Sequence, residues 1–207
     1  MAMDFLTREQ KEILVGCVLG DARLESRSSQ KTARLRIHHA DSQRDYLLWK
    51  FEKFKNLTLN VPKKNIYLDR RYGTQVVSWY FHTQTLDSLG KYFTMFYREG
   101  KKIIPRNLEV LLTPLTLAIW IMDDGSLNRE SLVINSQSFS DEEHQFIINC
   151  FRRRYGVEIR LQRDRNNKRI YFPRNSTDRI ENIIFPYLID PELIPVETDV
   201  RQFRTEI

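Results

Sequence analysis

Two nine-residue stretches decide how this chain is read: Leu14-Val15-Gly16-Cys17-Val18-Leu19-Gly20-Asp21-Ala22 and Leu117-Ala118-Ile119-Trp120-Ile121-Met122-Asp123-Asp124-Gly125. Each is the apolar end of a longer helical pattern that closes on a carboxylate. The first pattern opens at Thr7, which can cap, with Gln10 in capping-box position and Ile13, Leu14, Cys17 and Val18 at helical spacing. The second opens at Thr113-Pro114, a cap followed by proline at the first helical position, and Gly125 can stop it.

Outward from these helices the same order of elements recurs. ARLESRSSQKTARLRIHH reads as a hairpin and DSQRDYLLWKFEKF as a helix with Tyr46, Leu47, Leu48, Phe51 and Phe54 as its stripe. After Asp124, GSLNRESLVINSQSF is a shorter hairpin and SDEEHQFIINCFRRRYG a helix ended by Gly156, with Asp41 and Asp141 at matching helix starts. A second strand pair follows in each half, KKNIYLDRR with QVVSWYFHT and VEIRLQRDRNNKRIYF. Each half closes with a helix, around Leu86 to Tyr97 and Thr177 to Leu188, and the exits align Tyr97 with Tyr187 and Pro105 with Pro195. The chain therefore divides into residues 1–105 and 106–207, two copies of helix, hairpin, helix, hairpin, helix. That order predicts an α+β fold in which helices cover one face of each antiparallel sheet and leave the other open.

The 207 residues are 41% hydrophobic, enough for a packed core without metal clips or disulfides. Cys17 and Cys150 are too few for a disulfide framework or a four-cysteine zinc site and read as buried thiols. Charges interrupt every apolar run well before about 18 residues, and the first residues lack a basic segment followed by an apolar one, so neither a membrane span nor a secretory signal is expected. Trp49, Trp79 and Trp120 sit at core periodicity. His39, His82 and His144 have no metal-ligand spacing.

Thirty-three Lys and Arg against 27 Asp and Glu leave a charge of +6, and its arrangement matters more than its size. In ARLRIH, Ala33, Leu35 and Ile37 point one way and Arg34, Arg36 and His38 the other. In VEIRLQR, Val157, Ile159 and Leu161 oppose Glu158, Arg160, Gln162 and Arg163. Lys63, Lys64, Arg70, Arg71, Arg165, Lys168 and Arg169 cluster near the second hairpins. A two-stranded ribbon carrying such donors fits the DNA major groove, where Arg and Lys reach guanine, while residues at hairpin tips meet phosphate.

Both nine-residue stretches resemble the signature helices of LAGLIDADG homing endonucleases, in the single-chain form that carries two copies, and the likeness spans nearly the whole chain. NSQSFSDEE and GKKIIPRNLEVLLTPL are similar to the intron-encoded branch. The resemblance implies a monomeric, pseudo-twofold pair of repeats packed through the motif helices, with the open faces forming a DNA-binding saddle over a long, asymmetric duplex target. It implies double-strand hydrolysis leaving short 3′ overhangs, no membrane or obligate protein partner, and an organelle or another intron-bearing genome. The eighth signature position holds the metal-binding acid, which assigns that role to Asp21 and Asp124. The neighbouring Ala22 and Asp123 complete the candidate metal set, Asp123 as cap, metal-water contact or solvent-facing residue.

With the motif helices side by side, as the resemblance implies, two carboxylates at their C-termini repel each other and the helix dipoles, a cost that a cation offsets. Mg²⁺ suits carboxylate, water and phosphate oxygens; Mn²⁺ is an alternative, and Ca²⁺ is expected to support binding without efficient cleavage. Lys102, with Lys101 as substitute, is the candidate assisting lysine, placed ahead of the second motif; the matching Pro191-Glu192-Leu193 has none. Gln137 and His38, at corresponding hairpin ends, are candidates for ordering water or contacting phosphate. Two alternatives from other classes stand beside the nuclease: a non-cleaving maturase that binds intron RNA, and a sequence-specific transcriptional regulator.

Overall fold

The computed structural model describes residues 6–27, 30–71, 73–128 and 130–189. The chain separates into two compact units, Met1–Pro105 and Arg106–Ile207. The exit carrying Pro191, Glu192, Leu193 and Pro195 lies outside the described residues.

The first unit runs α1 (Arg8–Leu19), β1 (Arg23–Ser26), β2 (Ala33–Ala40), α2 (Arg44–Phe54), β3 (Lys63–Asp69), β4 (Thr74–His82), α3 (Asp87–Phe96), β5 (Tyr97–Arg98) and β6 (Lys101–Lys102). The second runs α4 (Leu108–Leu111), α5 (Pro114–Asp124), β7 (Gly125–Asn128), β8 (Ser131–Ile134), α6 (Asp141–Tyr155), β9 (Arg160–Asp164), β10 (Asn167–Phe172) and α7 (Arg174–Ile184). Both four-stranded sheets are antiparallel and share one order, β1-β2-β4-β3 and β7-β8-β10-β9. No described helix is long and apolar enough to cross a membrane.

Local chemistry sets the helix ends. Thr7 and Gln10 form the expected capping box on α1, Thr113 caps α5, and Ser140 with Glu143 caps α6. Gly156 ends α6 at φ 61°, a left-handed conformation that suits glycine. From Leu117 to Met122, α5 is buried on every face, as α1 is from Ile13 to Leu19.

The two motif helices end differently, which the sequence pattern did not anticipate. Helix α1 stops at Leu19, so Asp21 lies in the turn beyond it, whereas Asp124 is the last residue of α5. The next residue, Gly125, already begins β7, and a Cβ there would lie 2.4 Å from the Ile121 carbonyl oxygen. Glycine is therefore what lets α5 pass into a strand without a loop.

The strand registers correct one expected correspondence. Arg23 faces Arg36 and Ser126 faces Val133, each first-named residue standing two past its motif carboxylate. Counting from there, Asn135 rather than Gln137 occupies the place of His38, and Lys168 occupies the place of Trp79. The latter pair does equivalent work: Trp79 Nε1 donates to Asp41 at 2.6 Å, and Lys168 Nζ donates to Asp141 at 2.7 Å. The two matching aspartates thus tie each second helix to its sheet.

The α2 stripe also departs from expectation. Leu48 is half-buried, while Lys50 is fully buried beside Tyr46, Leu47, Phe51 and Phe54. Trp120 is fully buried, whereas Trp49 and Trp79 are only half-buried. Both cysteines are buried thiols outside any disulfide among the described residues.

Candidate nucleic-acid interface and cleavage site

Asp21 is held by the turn that ends α1. Gly20 N–H donates to Gly16 O at 3.0 Å and Ala22 N–H to Cys17 O at 2.8 Å, so backbone bonds grip the chain on both sides of it. Lys102 Nζ then donates to Gly20 O at 2.9 Å and to Ala22 O at 3.2 Å, the two carbonyls flanking Asp21. The β5–β6 hairpin makes this reach possible, turning through Glu99 and Gly100 at positive φ. Lys102 therefore belongs to the first motif, although the sequence places it just before the second. The Ala22 side chain is buried and its carbonyl accepts from the lysine, while the Asp21 carboxylate is the exposed ionic group of this turn.

The Asp21 side chain is about half exposed, at 48%. It opens on a cleft lined by Arg23, Arg36 and His38. Burial, together with the charges of Arg36 and Arg23, lowers the His38 imidazole below its ordinary range, so it stands neutral at physiological pH. Arg23 lies outside the alternation of ARLRIH that marks Arg36 and His38; its place two residues after Asp21 is the signal that brings it opposite Arg36.

Behind Asp21 lies a buried pair that no motif announced. His39 continues the apolar alternation of β2 and is 3% exposed, with Nδ1 4.0 Å from Asp21 Oδ2 and 3.1 Å from Gln43 Oε1. Its Nε2 meets Lys50 Nζ at 2.9 Å. With Lys50 as the donor, Nε2 accepts and the imidazole proton sits on Nδ1, toward Gln43 and Asp21.

Burial and the Lys50 charge push His39 down to about 3. The unfolded chain takes up that proton as pH falls through about 6.5 while the folded chain does not, so stability is lost below about pH 6.5. Denaturant unfolding of metal-free protein between pH 6.5 and 4.5 is expected to show this loss, about 1.4 kcal/mol per pH unit from this residue, with His39→Gln reducing the slope by that amount. An unchanged slope would show that His39 is not held neutral.

The registers sort the candidate DNA contacts by face. Arg23, Arg36 and His82 are aligned across three strands, as are His38, Tyr80 and Lys63, and Asn65 follows on the same side. Lys64 is aligned with Trp79 and His39 and so lies on the helix-covered face. In the second unit Arg160 is aligned with Tyr171, and Arg169 with Gln162, on the open face. Arg163 and Lys168 are aligned on the opposite face, where Lys168 is engaged by Asp141. Arg70 and Arg71 follow β3 at its hairpin tip, where Arg71 pairs with Asp69, and Arg165 turns the other tip at φ 55°.

Asp124 is partly exposed, and its carbonyl accepts from Asn135 N–H at 2.9 Å. Its neighbour Asp123 is half-buried with one carboxylate oxygen fully buried, unlike a solvent-facing residue. Gln137 donates to Asp164 at 2.9 Å, and Arg169 Nε lies 3.9 Å from the same carboxylate oxygen, so these side chains form a polar cluster at the hairpin end.

Residues 11–180 match the sequence profile of the LAGLIDADG DNA endonuclease family. The chain belongs to that family. Among LAGLIDADG relatives, DNA endonuclease I-ChuI of Chlamydomonas applanata is 31% identical over 202 residues, covering 89% of this chain and 93% of that one. The cytochrome b mRNA maturase bI2 of Debaryomyces hansenii is 28% identical over 191 residues, covering 89% and 72%. The homing endonuclease I-WcaI, solved bound to its DNA recognition sequence, superposes with a TM-score of 0.84 at 26% identity, covering 91% and 85%. The LAGLIDADG architecture is thus matched in sequence and in fold across nearly the whole chain.

Proposed function

We propose that this protein is a site-specific double-strand DNA endonuclease in which each unit lays its open sheet face on one half of a long, asymmetric target. The observation that carries the reading is the cleft in which the half-exposed Asp21 carboxylate stands beside two guanidiniums and a neutral imidazole. Arg23 and Arg36 would bind the phosphodiester oxygens, and His38 would order a water or contact phosphate. Asp124 would serve the other strand, with the Gln137 cluster contributing water-ordering or phosphate contacts. Lys102 acts as a positioning residue, fixing the turn that presents Asp21.

Among the described residues no three His, Cys, Asp or Glu side chains gather as a metal cage. A carboxylate beside a phosphate cleft instead fits Mg²⁺, which binds through one or two carboxylates and completes its shell with water and substrate phosphate. Asp21 and Asp124 would hold it. When bound, Mg²⁺, or Mn²⁺ in its place, supplies an activated water and stabilises the charge on the departing 3′ oxygen. Arg34 and Lys63 in the first unit, and Arg160 and Arg169 in the second, would contact base edges or phosphate, with Arg70, Arg71 and Arg165 at the tips. Lys64, Arg163 and Lys168 are given no such role.

A second reading, a splicing maturase that binds RNA without cutting DNA, is favoured by one observation, the maturase among the relatives. Incubating the protein with a library of long duplexes and Mg²⁺, then sequencing new ends, separates the two. The nuclease reading expects paired ends with short 3′ overhangs inside one extended asymmetric sequence, and binding in Ca²⁺ without ends. Sequence-selective binding with no ends in Mg²⁺ or Mn²⁺ would overturn it.

A further inference from the structure

On the open face of the first unit the Glu25 carboxylate stands in the middle of three arginines. Glu25 Oε1 accepts from Arg23 Nε at 2.8 Å and lies 2.7 Å from its Nη2. Glu25 Oε2 accepts from Arg34 Nε at 2.7 Å and lies 2.6 Å from its Nη2. Arg36 Nη1 stands 3.7 Å from Oε1. Burial works against a charged Glu25, yet the Arg34 and Arg23 guanidiniums hold its carboxyl below the usual carboxylate range, so it is ionised at neutral pH.

An anion on a face meant for a polyanion weakens phosphate binding, which makes its presence informative. Its geometry suggests the return. By taking the Nε side of each guanidinium, Glu25 leaves the Nη1–Nη2 end of each fork pointing away from it. That end is the bidentate edge that matches guanine O6 and N7. Arg34 is 41% exposed and opens on a cleft lined with Arg36, Asn65, Tyr80 and His82, whereas Arg23 lines the cleft of Asp21 itself. A long side chain otherwise free to swing to the nearest phosphate is thereby held in one pose.

We infer that Glu25 is a positioning residue for sequence specificity: it braces Arg34 to read one guanine in the target and discourages the same arginine from settling on phosphate. The inference rests on the DNA-binding reading above. It predicts opposite effects on target and non-target duplex, which a loss of folding does not produce.

The test is selection of bound duplexes from a random library in Ca²⁺ buffer, followed by affinity measurements against salt. Wild type is expected to select guanine at one position in the half-site of the first unit. Glu25→Gln should erase that preference alone, weaken target binding about tenfold and tighten non-target binding. Arg34→Lys, which keeps the charge but loses the fork, should erase the same position, and the double variant should lose no more than Arg34→Lys alone. Glu52→Gln, which makes the same change of net charge on α2, should leave the selected sequence intact. Preserved guanine preference in Glu25→Gln, additive losses in the double variant, or a loss spread evenly over all positions would each overturn the role of Glu25. Failure of wild type to select any sequence would overturn the DNA reading itself, and with it this inference.

Discussion

Asp21→Asn and Asp124→Asn are each expected to lower double-strand cleavage about a thousandfold or more while duplex affinity in Ca²⁺ stays within a few-fold of wild type. Asparagine keeps the shape of the side chain and removes the charge that would hold a cation, and a bound metal supplies several kcal/mol of charge stabilisation to phosphodiester hydrolysis. Binding, by contrast, draws on many phosphate and base contacts along the open faces. Because Asp21 and Asp124 are assigned to different strands, a strand-resolved nicking assay adds a sharper expectation: each variant slows one strand more than the other. Normal double-strand cutting by both single variants would remove these carboxylates from the mechanism.

The second large effect falls on stability. Trp120 is fully buried in α5, its ring 6.3 Å from Phe151, which in turn meets Phe172 edge-on at 5.2 Å. Trp120→Ala leaves a cavity among these rings and is expected to cost about 4 kcal/mol in denaturant unfolding. Trp120→Phe should cost less than about 2 kcal/mol, because among the described residues the buried indole Nε1 has no hydrogen-bond partner, so its removal strands no acceptor. Similar losses for the two substitutions would mean that ring volume is not what Trp120 contributes.

Much of this architecture was legible in the residues because it is encoded locally. Thr7 with Gln10, Thr113 with Pro114, and Gly156 mark helix ends through chemistry confined to a few neighbours. Alternation in ARLRIH separates Arg34, Arg36 and His38 from the core for the same reason. Alternation was less useful near hairpin tips, where several cations crowd together. Lys63 and Lys64 are neighbours in sequence and lie on opposite faces, and only the pairing of β3 with β4 shows which one shares a face with His38. Lys168, a candidate DNA contact by its place near the second hairpin, is engaged by Asp141 across a sequence gap that no local pattern spans.

The amino-acid sequence by itself determined the repeated order of elements and the starts of the two motif helices, since apolar period and caps act over short range; it places the closing helix at Thr177 to Leu188, whereas α7 runs Arg174–Ile184, because no side-chain cap marks its start. Tertiary structure alone decided what surrounds Asp21. Lys102 arrives from far along the chain on a two-residue strand, His39 and Lys50 meet beneath it in the core, and Arg23 joins Arg36 through strand register. These groups are brought together by backbone pairing and burial, which join residues too far apart in the chain for any local pattern to name as partners.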